Sequence, residues 1–170
     1  MKILKEWAVI VAEALVIVLA LFMFCWPLRV FGTSMEGTLK TGDRIAVSKF
    51  LSILGDYDRG DIITFTLEYI DDSMSLKEKK VIKRIIAVDH DHLEIKRGKV
   101  YVNGGLLEEP YANGIMVEEM DIIVPEGHVF VLGDNRGDSI DSRTLGPILR
   151  DSISGKIIFK WYPFDEMSLY

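Results

Sequence analysis

A serine, a lysine and a dense run of acids, arginines and hydroxyls are the residues in this chain that could do hydrolytic chemistry. Ser34 lies in Gly32-Thr33-Ser34-Met35, and Lys83 lies in the apolar run Val81-Ile82-Lys83-Arg84-Ile85-Ile86. Asp134, Arg136, Asp138, Ser139, Asp141, Ser142 and Arg143 all fall within residues 134–143. A serine hydroxyl is a weak nucleophile until a base takes its proton. Lysine is such a base only when neutral. Moving its pKa from about 10.4 to near 7 requires roughly 4.6 kcal/mol of bias towards the amine, which full burial can supply. In a strand, Lys83 shares a face with Val81, Ile85 and Ala87, while Arg84 shares the other with Ile82, Ile86 and Val88. One of the two cations must then meet apolar company unless both faces are wet; a snorkelling lysine is the plain alternative. Residues 134–143 read either as a solvated, salt-bridged turn or as a buttress that holds a catalytic pair in place.

Other chemistries fit these letters less well. A Ser-His-Asp triad would have to draw on His90, His92 or His128, and His90-Asp91-His92 alternates faces. Two alternating histidines and one acid make a poor metal set, and a single cysteine excludes a thiolate zinc cluster. Ser34 is not in a Gly-x-Ser-x-Gly elbow, because Gly37 comes one position late. With 20 Lys plus Arg against 26 Asp plus Glu, the net charge is −6 and no basic face is visible, which argues against nucleic acid as the main partner. A chain that is 49% apolar is not intrinsically disordered.

The elements that must position these groups are of two kinds. From Trp7 to Trp26 only Glu13 is outside the apolar class. Twenty residues at about 1.5 Å each span roughly the 30 Å hydrocarbon layer, so residues 7–26 are expected to form a transmembrane helix with a tryptophan at each end, ended by Pro27. No small-x-small cleavage site follows it, which argues against a removed leader. Cys25 reads as an inert membrane cysteine, and Glu13 as neutral, snorkelling or paired. Lysines and arginines flank the segment on both sides, so charge alone does not orient it. The remaining 144 residues read as mostly β, with strands expected at 44–48, 62–67, 80–88, 92–96, 99–102, 129–132 and 156–161. Asn103-Gly104 is a two-residue hairpin signal. Three Gly-Asp pairs, at 42/43, 60/61 and 133/134, mark turns or strand entries. Residues 69–80 read as an exposed polar loop. The apolar run at 50–54 suits either the core or the membrane surface.

Taken together, the chain resembles the type I signal peptidases, the membrane-bound serine/lysine leader peptidases, in their compact Gram-positive form. Gly32-Thr33-Ser34-Met35-Glu36-Gly37-Thr38-Leu39 with Gly42-Asp43 is similar to the family's serine box. Arg59-Gly60-Asp61-Ile62-Ile63-Thr64-Phe65 is similar to the next box, and Ile82-Lys83-Arg84-Ile85-Ile86 to the lysine box. Gly133-Asp134-Asn135-Arg136 with Ser139, Asp141, Ser142, Arg143 and Gly146 is similar to the last box. The resemblance implies a signal-peptidase-like β domain of antiparallel sheets after one N-terminal transmembrane helix. Residues 1–6 would be cytoplasmic, 7–26 the anchor and 27–170 the extracytoplasmic peptidase domain in the cell membrane.

The resemblance further implies that Ser34 is the nucleophile and Lys83 the general base, with Gly32, Ser34 and Met35 at the oxyanion and substrate-binding positions. Ser139 would orient the amine, and Asp141 and Arg143 would support the site by an ion pair. No metal or cofactor is needed. Preprotein signal peptides are the implied substrates, with small residues at the first and third positions before the cut. The bilayer and the secretion translocon are the further partners. The alternatives are a dedicated paralogue with few substrates, or a non-catalytic membrane-anchored assembly or binding protein that keeps the fold.

Three departures from the family pattern bear on this reading. Gly37 stands where the family has proline, which predicts a less rigid turn after the nucleophile. Ala87-Val88-Asp89-His90-Asp91 replaces glycine-leucine-proline-glycine-aspartate and keeps only the final acid. Gly32 offers no side-chain hydroxyl to an oxyanion.

Overall fold

The computed structural model describes the chain at residues 2–55, 57–70 and 73–170, with the side chains of 2–4, 17, 19–24 and 52–54 left outside the description. It opens with helix α1 (Lys2–Phe24), so residues 2–6, expected as a short tail, are already helical. The expected helix over 7–26 stops two residues early. Cys25–Arg29 is strand β1, which pairs antiparallel with β2 (Arg44–Ser48) in an unbroken register from Cys25↔Ser48 to Arg29↔Arg44. Cys25 and Trp26 therefore belong to the sheet. Pro27 is accommodated there because β1 is an edge strand, where a missing N–H costs no ladder bond. Among the described residues no helix is long and apolar enough to cross a membrane.

The 50–54 run forms a short helix, α2 (Lys49–Leu54). It is followed by β3 (Ile62–Ile70), β4 (Leu76–Val88), β5 (His92–Lys96), β6 (Lys99–Val102), β7 (Gly105–Leu106), β8 (Met120–Ile123) and β9 (His128–Leu132). Helix α3 (Ser142–Leu145), β10 (Ile148–Leu149), β11 (Ile153–Tyr162) and β12 (Ser168–Leu169) complete the chain. The larger sheet runs β1-β2-β11-β3-β4-β9-β10 with β12 on β11, and the smaller runs β7-β6-β5-β8. Every named strand pair is antiparallel. The sheets share one core, in which Ile86, Ala87, Phe130 and Leu132 pack with Leu93, Ile95, Val100 and Val102. Apolar side chains on facing strands are removed from water together, at about 25 cal/mol per Å².

Asn103 and Gly104 both have positive φ, and Val102 pairs directly with Gly105, so the predicted two-residue turn is formed. The loop expected at 69–80 is mostly strand: residues 69–70 end β3 and 76–80 begin β4, only 73–75 of the described residues lie between them, and 71 and 72 lie outside the described residues. The β3/β4 ladder continues through Leu67↔Lys79 and Tyr69↔Lys77 to Ile70↔Leu76, an exposed two-stranded arm whose polar composition hides its pairing. Between Ile85 and Ala87 the β4/β9 register shifts by a residue. This bulge resets the alternation, so Ile86 and Ala87 enter the same core cluster while Val88 packs against the one containing Ile85. The expected placement of Ala87 beside Lys83, and of Val88 beside Arg84, fails for that reason.

Candidate active site

Ser34 sits in a tight turn between β1 and β2, anchored by its neighbours. Met35, 2% exposed, is sunk into the core beneath, and its carbonyl accepts the N–H groups of Thr38 and Leu39. The Thr33 carbonyl accepts the Glu36 N–H, and the Ser34 carbonyl accepts the Asn135 N–H at 3.0 Å. These bonds hold the Ser34 side chain, half-buried, towards strand β4. There Lys83 Nζ lies 2.7 Å from Ser34 Oγ. Lys83 is only 3% exposed, and burial lowers its pKa from 10.5 to about 8; Lys79 adds to the lowering, while Asp141, Asp134 and Asp138 oppose it. No carboxylate lies within ion-pair distance of its amine among the described residues. None of the three histidines hydrogen-bonds Ser34 or Lys83; His92 meets the exposed Asp121 at 2.7 Å instead.

Arg84 is buried as well, on the opposite side of β4. Its guanidinium forks onto Asp134, with Nε to Oδ1 at 2.9 Å and Nη2 to Oδ2 at 2.7 Å. It also donates to the Gly60 carbonyl at 2.8 Å and to Thr38 Oγ1 at 3.2 Å, and lies 3.9 Å over the Tyr111 ring. Bidentate pairs of this kind are the strong ones. Both cations of the lysine box are thus desolvated, and the either/or expected from alternation is resolved by giving one a carboxylate and the other a hydroxyl.

The 134–143 run is the buttress rather than a wet turn. Asp141 caps α3 and accepts the Gly133 N–H at 3.0 Å and both Nε and Nη2 of Arg143 at 2.9 Å. Burial works against the Asp141 carboxylate, but Arg143 and the Gly133 N–H outweigh it and hold its pKa below the usual range. Arg143 reaches Glu118 at 3.1 Å, and Arg136 forks onto Glu109 with one contact at 2.9 Å. Glu118, Glu109, Tyr111 and Asn113 are contributions that sequence reading missed, because no local pattern distinguishes them from surface residues.

Two implied roles are not seen in the geometry. Ser139 Oγ is buried without a hydrogen-bond partner, so it does not hold the Lys83 amine here. It packs against Gly133 so closely that a Cβ there would fall 2.3 Å from the hydroxyl. The Gly32 N–H is already given to Thr41 Oγ1 at 3.1 Å, whereas no such bond engages the Ser34 N–H.

Gly37 has a different meaning from the one its departure suggested. It stands at φ +111, and a Cβ there would lie 2.6 Å from Asn113 Nδ2, which donates to the Glu36 carbonyl. Proline cannot adopt that φ. The turn is braced from outside by Asn113 instead of from within by a ring. The retained acid after the lysine box, Asp91, takes Arg59 Nε at 2.9 Å, the Val88 N–H and Asn103 Nδ2, and so ties three turns together.

An antiparallel β framework that closes a serine hydroxyl on a buried lysine amine, with no histidine in reach, has the makings of a serine hydrolase. The model of the family described as "Signal peptidase, peptidase S26" matches residues 4–162. Signal peptidase IB of Staphylococcus aureus (strain Mu50) is 35% identical, over 97% of this chain and 93% of its own. Signal peptidase I of Bacillus licheniformis is 37% identical, over 96% and 91% respectively. The crystal structure of a signal peptidase I from Enterococcus faecalis V583 is 30% identical with a TM-score of 0.48, covering 59% of this chain and 95% of that one. The chain belongs to the signal peptidase family, peptidase S26, and is a serine endopeptidase.

Proposed function

We propose that this protein removes N-terminal signal peptides from exported preproteins, with Ser34 as nucleophile and Lys83 as general base. The observation that carries the reading is the 2.7 Å contact between Ser34 Oγ and an amine whose pKa burial has lowered to about 8. In its neutral form Lys83 accepts the Ser34 proton as Oγ attacks the scissile carbonyl. The Ser34 N–H, for which no acceptor is found among the described residues, would meet the developing oxyanion. Lys83 then gives its proton to the leaving amine, and afterwards draws one from the water that hydrolyses the acyl-enzyme. Asp141, Arg143 and the Arg84–Asp134 pair hold the two loops that carry these groups in register. Residues 76–83 of β4 pair with β3 only, since β9 joins β4 from Arg84 onwards. That open edge suits a substrate added as an extra strand, with small side chains fitting beside the Met35 turn.

The apolar run at 7–24, the part of the expected anchor that is helical, supports placing the enzyme in a membrane, with the N-terminus cytoplasmic, the β domain extracytoplasmic, and the bilayer and translocon as neighbours. A preprotein cleavage assay in detergent on wild type, Ser34→Ala and Lys83→Ala tests the chemistry. Cleavage by wild type alone is expected; a variant with full activity would remove its residue from the mechanism. Protease protection of residues 27–170 in sealed vesicles tests the orientation.

A further inference from the structure

The segment after β11 folds back along the nucleophile turn. Lys160, 5% exposed, brings Nζ to 3.5 Å from the buried Asp43 carboxylate and 3.1 Å from Glu166. Burial works against its charge, but Glu166 and Asp43 outweigh it and hold its pKa above the ordinary value. Glu166 also meets Lys40 Nζ at 2.9 Å, and Asp43 accepts the Lys40 N–H at 2.9 Å. Strand β12 pairs with β11 at Lys160↔Ser168, and Tyr170, just beyond it, packs against the cluster that contains Met35 and Leu39. Ser168 Oγ donates to Tyr170 Oη at 3.1 Å, and Tyr170 Oη donates to the Thr38 carbonyl at 3.2 Å.

Resting on the peptidase reading above, we infer that Tyr170 is a positioning residue for the reaction, fixing through Thr38 the approach of Ser34 to Lys83. Thr38 is where the supports of nucleophile and base meet. Its N–H goes to the carbonyl of Met35, the residue after Ser34, at 3.0 Å. Its Oγ1 donates to Asp134 at 2.5 Å and accepts from Arg84, the residue after Lys83, at 3.2 Å. Asn135, which follows Asp134, donates to the Ser34 carbonyl. The Thr38 carbonyl is the polar group that remains, and the Tyr170 hydroxyl holds it. A displaced Thr38 therefore carries Ser34 out of line with Lys83, and a misplacement of about 1 Å can cost about a hundredfold in rate. The Lys40–Glu166 contact is exposed and worth little alone. With Lys160 and Asp43 it presses the segment at 163–170 onto the turn, so that the tyrosine reaches its carbonyl.

The test is Tyr170→Phe, which removes the hydroxyl and keeps the ring, in the full-length enzyme in detergent with one cleavable preprotein. Well below the melting temperature, kcat is expected to fall about fivefold, the scale of one neutral hydrogen bond, with KM unchanged. A looser turn admits water to the Lys83 amine, and water favours its charged form, so the acid limb of the pH–rate profile should move up from about 8 towards 10.5. Ser168→Ala should act in the same direction to a smaller extent, and Ser168→Thr should restore the wild-type profile. Ser168→Ala carries the test alone if Tyr170→Phe does not fold. The inference is overturned if kcat is unchanged, if its loss only tracks the folded fraction, if the change lies in KM alone, or if the acid limb stays where wild type has it. Failure of wild type to cleave the preprotein at all would defeat the peptidase reading itself, and the inference with it.

Discussion

Lys83 and Arg84 are consecutive in β4 and both are buried, yet Arg84 is clasped by the Asp134 carboxylate while Lys83 meets the Ser34 hydroxyl and no acid among the described residues. The difference sets their chemistry. A cation with a bidentate acid stays charged and structural. One without an acid is pushed towards its neutral form by the same burial.

The rate should follow the Lys83 amine. Because the base must be unprotonated, kcat/KM should rise about tenfold per pH unit below about 8 and level off above it. Ser34→Ala and Lys83→Ala should each lower kcat by about a thousandfold or more. A pH–rate profile on one peptide substrate measures all of this.

Removing the lysine should stabilise what it inactivates. The gap between 10.5 in the open chain and about 8 in the fold corresponds to about 3 kcal/mol against the folded state below pH 8. Lys83→Met fills the same space without a charge and should melt several degrees higher at pH 7. The advantage should shrink as pH rises from 8 towards 10.5, where the wild-type amine is neutral in both states. Thermal melts across that range check the sign.

Asp134→Ala would leave the Arg84 guanidinium buried and without its acid. A loss of about 3–5 kcal/mol is expected, the usual cost of breaking a buried pair from one side. Because Asp134 also joins Thr38 to Arg84, activity should fall further than the folded fraction does. Chemical denaturation alongside a cleavage assay separates the two.

Gly37→Ala should destabilise by about 1–3 kcal/mol, since φ +111 strains any side chain and Asn113 occupies the space. Gly37→Pro should be worse, although proline is the residue the family pattern has there. Melting temperatures of the two variants against wild type decide this.

The Asp141–Arg143 pair should set an acid limit. With its folded pKa depressed, Asp141 contributes stability that is fully present above pH 3.8 and is lost as pH falls through the folded value. Asp141→Asn should therefore be less stable than wild type at neutral pH, with the gap closing in acid. Denaturant midpoints at neutral and acid pH test this.

Much of the framework was legible because its strands alternate: 44–48, 92–96 and 99–102 match their elements at both ends. Lys83 and the 134–143 run stood out because charged groups are costly in apolar or crowded company, whereas Ser34, an ordinary turn serine by type, was marked only by the resemblance. The boundary at Phe24 was not, because hydropathy runs unbroken into β1 and only backbone pairing tells helix from strand. Nor was the bulge at Ile86, which leaves no mark in an apolar run. The arm formed by 69–70 and 76–80 was hidden for the opposite reason: exposed on both faces, it has no apolar period to read. Glu109, Asn113 and Glu118 act at long sequence distance, where spacing carries no information.

The passage from α1 into β1 without an intervening residue has a mechanical consequence. Nine residues separate Phe24 from Ser34, and five of them, Cys25–Arg29, are locked to β2. The distance from the helix end to Ser34 is thus a ruler rather than a leash, because strand pairing and not a free linker sets it.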